Sequence, residues 1–117
     1  MALSTNLIDY ASITAQSGVT DDVGVQPSDN CHTIVVYNTT ADTGVLVGIV
    51  PTGTNLTAAN SATIPGGGSL TLRIGTRVYR PCGPIGTGGN VRLRVEGIGG
   101  TPVLSFQYIN SAQDTAP

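Results

Sequence analysis

Two segments with strict period-two alternation constrain the fold more than any other feature. Residues 69–74 read SLTLRI and residues 91–96 read VRLRVE, so apolar and polar side chains alternate along both. Because neighbouring side chains of an extended strand point to opposite faces, this pattern predicts strands with one face in a core. Glycine-rich and proline-containing segments flank both, and they favour turns.

Further strands are predicted at similar spacing, at residues 8–14, 32–38, 45–50, 62–64, 77–80 and 103–109. Residues 23–26 form either another short strand or part of an extended arm. We expect 32–38 and 45–50 to pair as a hairpin. The apolar run VLVGIV at 45–50 predicts that both faces of its strand are covered, or that Gly48 lets another chain approach closely.

The fold class that follows is all-β. Seven or eight short strands separated by turn residues are typical of a single antiparallel β-sandwich, here expected to be jelly-roll-like. At most one helical turn is expected, at 58–60. The chain of 117 residues suits one domain. We divide it into an N-terminal arm with one or two short strands (1–31), a sandwich body (32–109) and a polar C-terminal tail (110–117).

The core is expected to be aliphatic, because the chain has no tryptophan and one phenylalanine. Tyrosines within the strand patterns are expected in the core or at an interface; these are Tyr37, Tyr79 and Tyr108.

Positive and negative charges are separated along the chain. Apart from His32, the first 72 residues carry only acidic side chains, and there is no lysine. Either the folded strands bring the two signs together, or the surface is bipolar and meets a neighbouring protein. Arginine is enriched at protein interfaces, so the second interpretation makes candidate interface residues of Arg73, Arg77, Arg80, Arg92 and Arg94. The net charge of −2 does not favour nucleic-acid binding.

The two cysteines, Cys31 and Cys82, leave two interpretations open. They are buried thiols, or they form a disulfide if the fold brings their Cα atoms within about 7 Å. Together with His32 they lack the spacing of a zinc site. The first residues show neither the basic nor the apolar region of a signal peptide, and no apolar run is long enough for a transmembrane helix.

No catalytic arrangement is predicted. His32 is the one histidine and adjoins Cys31, but neighbours on a strand point to opposite faces. Glu96 alternates with arginines and is expected to be an exposed ion-pair partner. The aspartates lie mostly in turns, where they bind backbone N–H groups. We therefore expect no enzyme activity, no catalytic residues, no cofactor and no metal.

One stretch resembles a known family. The sequence TIVVYNTTA at 33–41, VLVGI at 45–49 and LTAANSATIPGGGSLTLRIG at 56–75 is similar to a pattern in small bacteriophage virion proteins. In these proteins a strand ending in N-T-S/T-A precedes a strand ending in V-G, a T-x-x-N-G loop and the segment I-P-x-G-G-S-L-T-L. Asn60 matches the asparagine of the loop, and Ser61 replaces its glycine. The resemblance covers residues 32–109.

The resemblance implies a function without catalysis. Proteins of this kind decorate or cement capsids, or belong to head fibres or tails. For this chain it implies a β-sandwich on the capsid exterior, made in the host cytoplasm. Its partners would be the major capsid protein and further copies of itself, with a trimer favoured, and neither nucleic acid nor a membrane. The alternatives are a tail, neck or fibre component, a receptor- or glycan-binding module, and a small enzyme.

Overall fold

The computed structural model describes residues 6–28, 30–75, 85 and 90–111. This part of the chain forms eight strands and no helix; residues 58–60, expected to hold at most one helical turn, form a turn. The predicted strand at 77–80 lies outside the described residues. The strands are β1 (Ile8–Thr14), β2 (Asp21–Asp22), β3 (Cys31–Asn38), β4 (Gly44–Pro51), β5 (Ala62–Ile64), β6 (Ser69–Arg73), β7 (Val91–Ile98) and β8 (Val103–Asn110).

The strands form two four-stranded antiparallel sheets. Sheet A has the order β1-β8-β3-β6, and sheet B has the order β2-β7-β4-β5. The first strand pairs with the last, the second with the seventh, the third with the sixth and the fourth with the fifth. One long hairpin rolled into two layers gives this pairing, which is jelly-roll connectivity. The predicted fold class, a single antiparallel sandwich, is confirmed.

The predicted hairpin between 32–38 and 45–50 is wrong. β3 lies in sheet A, where it pairs with β6 and β8, and β4 lies in sheet B. The physical reason is the buried side chain of Asn38. Its Nδ2 donates to the carbonyl oxygen of Thr43 at 2.6 Å, and its Oδ1 accepts from the N–H of Thr40 at 3.1 Å. These bonds hold the connecting turn so that it carries the chain across to the other sheet.

The core lies between the sheets and is aliphatic except for Phe106 and Tyr108, as expected. The two ring centroids are 6.1 Å apart. Along β3, β4, β7 and β8 the residues that face the other sheet are buried or packed against the core, in agreement with the alternation of the sequence. The buried set includes Ile34, Val36, Val45, Val47, Leu93, Val95 and Leu104.

The predicted N-terminal arm supplies one strand to each sheet. β1 pairs with β8 along its whole length, and β2 pairs with β7. The strand considered at 23–26 does not form, because the side chain of Gln26 occupies the edge of β7. Its Nε2 donates to the carbonyl oxygen of Leu93 at 3.0 Å, and its Oε1 accepts from the N–H of Leu93 at 2.9 Å. Val23 is buried in the core beside it.

Gly48 allows a loop to cover the outer face of sheet B, as the apolar run at 45–50 predicted. A Cβ atom at Gly48 would lie 2.7 Å from the carbonyl oxygen of Asn60 and 2.8 Å from Cδ2 of Leu56. Leu56 is buried, and so is the outward-facing Val50. Residues 56–61 therefore cover β4, which is covered on its other face by the core.

We predict that two Gly→Ala substitutions differ in their effect on the free energy of unfolding. Gly48→Ala forces the loop away from β4 and should lower the free energy of unfolding by about 1–3 kcal/mol. Gly24→Ala is the control, since nothing lies within 4 Å of its Cβ position, and its effect should stay within about 0.5 kcal/mol. Urea unfolding measures both. Equal effects would contradict the close approach at Gly48.

We also predict that stability falls at alkaline pH through Tyr108. Burial raises the pKa of Tyr108 well above its ordinary value of 10.0, with a smaller contribution from Cys31. Above pH 10 the unfolded chain releases this proton while the folded protein retains it, so the free energy of unfolding decreases as pH rises. Tyr108→Phe should reduce this slope, and it should cost about 1 kcal/mol at pH 7 because the hydroxyl donates to the carbonyl oxygen of Val25. Urea unfolding at pH 7 to 11 tests this; identical slopes would refute it.

Candidate functional site

The outer face of sheet A is almost free of charge. Strand register places four cross-strand rows on it, such as Tyr10, Gln107, Val35 and Thr71. Among the outward side chains of the four strands, Arg73 is the one that carries a charge. The others are Ile8, Tyr10, Ser12, Thr14, Thr33, Val35, Tyr37, Ser69, Thr71, Val103, Ser105, Gln107 and Ile109.

Several large apolar side chains on this face are exposed. Tyr10 is 67% exposed and Tyr37 is 41% exposed, with Ile8 and Val103 close to the latter value. Tyr108 lies in the core, as expected. Tyr37 lies at the surface, so its place at an interface stays a prediction. Tyr79 lies outside the described residues. A face with exposed aromatic and hydroxyl side chains and few charges has the composition of a protein interface.

The outer face of sheet B is different, because the chain itself covers it. The guanidinium of Arg94 lies between two covering segments. Its Nη1 donates to the carbonyl oxygen of Thr54 at 2.7 Å, and its Nη2 donates to that of Thr20 at 3.1 Å. The hydroxyl of Thr20 in turn accepts from the N–H of Leu56 at 3.0 Å. Arg94 thus ties residues 20 and 54 to β7.

Asp22 binds two of the predicted interface arginines. It faces Arg94 across the β2–β7 pair, and its Oδ1 lies 2.8 Å from Arg94 Nε. The geometry at this Nε is not that of a hydrogen bond, so the contact is an ion pair without a directed bond. Arg92 Nε donates to Asp22 Oδ2 at 3.3 Å. At this position the fold brings opposite charges together, which is one of the two outcomes considered from the sequence.

A shallow groove of about 380 Å³ lies beside this cluster. Glu96 is half-buried there, and its Oε1 accepts from the Thr20 hydroxyl at 2.6 Å. It is thus less exposed than the sequence suggested. The groove offers a carboxylate, an amide and a hydroxyl to a polar ligand. Its lining consists of Gly18, Val19, Thr20, Asn55, Leu56 and Glu96.

The remaining candidate residues are placed as follows. Arg73 lies at the end of β6, exposed on the rim of sheet A. Arg77, Arg80 and Cys82 lie outside the described residues, so the disulfide stays untested. Cys31 is buried, and its Sγ lies 3.4 Å from the carbonyl oxygen of Thr33.

His32 Nδ1 lies 2.8 Å from the Thr33 hydroxyl. In residues 6–28, 30–75, 85 and 90–111 no three His, Cys, Asp or Glu side chains are grouped as metal ligands. The same residues include no helix with the length and hydropathy of a membrane span.

No protein-family model matches the sequence, and no curated protein matches it. One solved structure aligns, from work on Bacillus endospore appendages described as a family of disulfide-linked pili. The alignment has a TM-score of 0.42 and 13% identity, and covers 95% of this chain and 97% of that one. Similarity at this level says nothing about what this chain binds.

Sequence reasoning did not identify the face of sheet A. The signal was present, because the alternate positions that begin at Ile8, Thr33 and Val103 carry no charged side chain along the predicted strands at 8–14, 32–38 and 103–109. The sequence could not predict that these strands lie side by side in one sheet. That arrangement depends on the crossing of the chain between sheets, which single strand patterns do not encode.

We predict that the two arginines beside Asp22 contribute unequally to the free energy of unfolding. The side chain of Arg94 is 14% exposed and that of Arg92 is 24% exposed. Among the described contacts, Arg92 binds only Asp22, whereas Arg94 also binds two carbonyl groups. Arg94→Met leaves two carbonyl groups without their donor and should lower the free energy of unfolding by about 2 kcal/mol. Arg92→Met removes a partly exposed ion pair and should cost at most about 1 kcal/mol. Denaturant unfolding of both variants tests this, and a larger loss for Arg92→Met would contradict it.

Proposed function

We propose that this chain is a structural virion protein that decorates and stabilises a bacteriophage capsid by binding across neighbouring shell subunits. The observation that carries the proposal is the outer face of sheet A, which presents exposed tyrosine and aliphatic side chains with one charge at its rim. Removing such a face from water costs little, because few charged groups lose their hydration. It therefore suits permanent contact with another protein.

The resemblance of residues 32–109 to small phage virion proteins supports the identity of that partner as the major capsid protein. Jelly rolls also occur in viral capsid and lectin domains, although a fold by itself does not define a function. Each contact with the shell can be weak, because many copies bound to one shell together give a large stabilisation. In this proposal the protein lies on the capsid exterior, and the trimer expected from the resemblance would suit a three-fold axis of the shell.

Not all of the arginines predicted to contact a neighbouring protein are equally suited to that role in the folded chain. Arg92 and Arg94 already bind Asp22, so replacing them with glutamate would place like charges together and disturb the protein itself. Arg73 is exposed beside the uncharged face. We therefore assign to Arg73 the contact with an acidic patch of the shell, and leave Arg77 and Arg80 as further candidates.

A second candidate is a tail, neck or fibre component, or a module that binds a receptor or glycan. The groove between Glu96 and Asn55 favours it, because carboxylate and amide groups bind the hydroxyl groups of sugars. In this case a few copies per particle are expected, and the groove rather than sheet A makes the contact.

The two candidates are separated by a matched pair of isosteric substitutions. Gln107→Glu adds a negative charge at the centre of the sheet A face, and Asn55→Asp adds the same charge in the groove. We expect Gln107→Glu to weaken binding to bare shells at least about tenfold, since an unpaired charge would be buried. Asn55→Asp should change binding by no more than about twofold, as is usual for an exposed position.

The measurement is quantitative mass analysis of shells after mixing with each variant. Binding in a fixed ratio to the shell protein, with hundreds of copies, is expected for the wild type, together with greater resistance of the shells to heat. A dozen copies or fewer, or a loss on Asn55→Asp alone, would contradict capsid decoration and favour the second candidate. Thermal unfolding of each variant shows that the fold is retained.

A further inference from the structure

The outer edge of β1 is unpaired in the part of the chain that the structure describes. β1 stands at the end of the sheet order, so one edge pairs with β8 and the other faces no described strand. Natural edge strands are commonly blunted by lysine, proline, a bulge or an inward-pointing charge. β1 reads IDYASIT and carries only the last of these, at Asp9. The carboxylate of Asp9 accepts from the amides of Asn6 and Asn110, both at 3.0 Å.

The hydrogen bonds at the two ends of the β1–β8 pair show which backbone groups face outward. The N–H of Asn110 donates to the carbonyl oxygen of Leu7, and that of Ala15 donates to Pro102, both at 2.9 Å. In an antiparallel pair, hydrogen-bonded residues alternate with residues that are not. Odd-numbered residues of β1 therefore bind β8. The even-numbered residues direct N–H and C=O groups to the open edge; they are Ile8, Tyr10, Ser12 and Thr14.

We infer that β1 pairs antiparallel with β1 of a second copy of this chain, around a two-fold axis at Ala11. In this register Tyr10 lies opposite the partner subunit's Ser12, and Ile8 lies opposite the partner subunit's Thr14. Every outward N–H and C=O of the strand then has a partner. An axis at Tyr10 or Ser12 instead would shorten the overlap of the two β1 strands and leave some of the outward N–H and C=O groups unpaired.

Side chains at this register are also compatible. Ala11 meets its own copy at the axis as a non-hydrogen-bonded pair, where the strands come closest, at about 4.5 Å between Cα atoms, and its side chain is small. Asp9 lies opposite the partner subunit's Ile13. The two Asp9 residues are four positions apart along the strands, about 14 Å, so like charges do not face each other.

The pairing joins two copies of sheet A into one continuous sheet. Because the side chains of the same even-numbered residues lie on the outer face, the uncharged surface of one copy continues into that of the other. The inference depends on the edge of β1 alone, and it holds whether or not the partner of that surface is a capsid.

The test uses two double variants that differ only in the sign of one charge. Tyr10→Lys with Ser12→Lys places lysines opposite each other in the inferred register. Tyr10→Glu with Ser12→Lys places glutamate opposite lysine. All of these side chains face solvent in the monomer, so the fold should be retained in both, as thermal unfolding will show. Sedimentation equilibrium measures the mass of the full chain.

The two-fold pairing closes as a dimer and takes the place of the trimer that the resemblance favours, so we expect the wild type to have about twice the chain mass of 11.9 kDa. The lysine pair should raise the dissociation constant at least about tenfold, and the glutamate–lysine pair should restore association. Ser12→Pro should also dissociate the dimer, because it removes one outward N–H, whereas Ser12→Ala should not. A monomeric wild type, a trimer that the lysine pair leaves intact, or equal behaviour of the two double variants would overturn the inference.

Discussion

The side-chain amide of Asn38 fixes the corner on which the rest of the structure depends. Two connections cross between the sheets at this point, from β3 to β4 and from β5 to β6. The amide donates to Thr43 in the first and lies within 3.4 Å of the carbonyl oxygens of Ile64 and Pro65 in the second. A buried polar group without these partners would be costly. The requirement for them selects the jelly-roll crossing over a simple hairpin.

The two outer faces then have different surroundings. Gly48 and Leu56 let a loop close over sheet B, and Arg94 ties that loop to β7. Nothing in the described part of the chain covers sheet A in the same way. The face left open is the one with fewer charges. In an isolated protein, the face in contact with water would be expected to carry more charges than the covered one. The proposed role within an assembly rests on this asymmetry, and the open edge of β1 lies on the same sheet.

The sequence predicted correctly those features that depend on the local backbone alone, such as the face of a strand or the position of a turn. Alternation placed Leu93 and Phe106 in the core, and the turn residues predicted most strand ends. It was misleading where a side chain replaces a backbone partner, as Gln26 does at the edge of β7 and Asn38 does between the sheets. The pairing of Asp22 with two arginines was likewise hidden, because it depends on the register of strands far apart in sequence.

The central claim is that the outer face of sheet A is covered in the working state of the protein. Hydroxyl-radical footprinting of the chain, alone and bound to shells, tests it through Tyr37 on that face and Ile98 on sheet B. Both side chains are exposed to a similar degree, 41% and 46%. We expect oxidation of Tyr37 to fall on binding while that of Ile98 stays the same. Unchanged oxidation of Tyr37 with protection of Ile98 would contradict the claim.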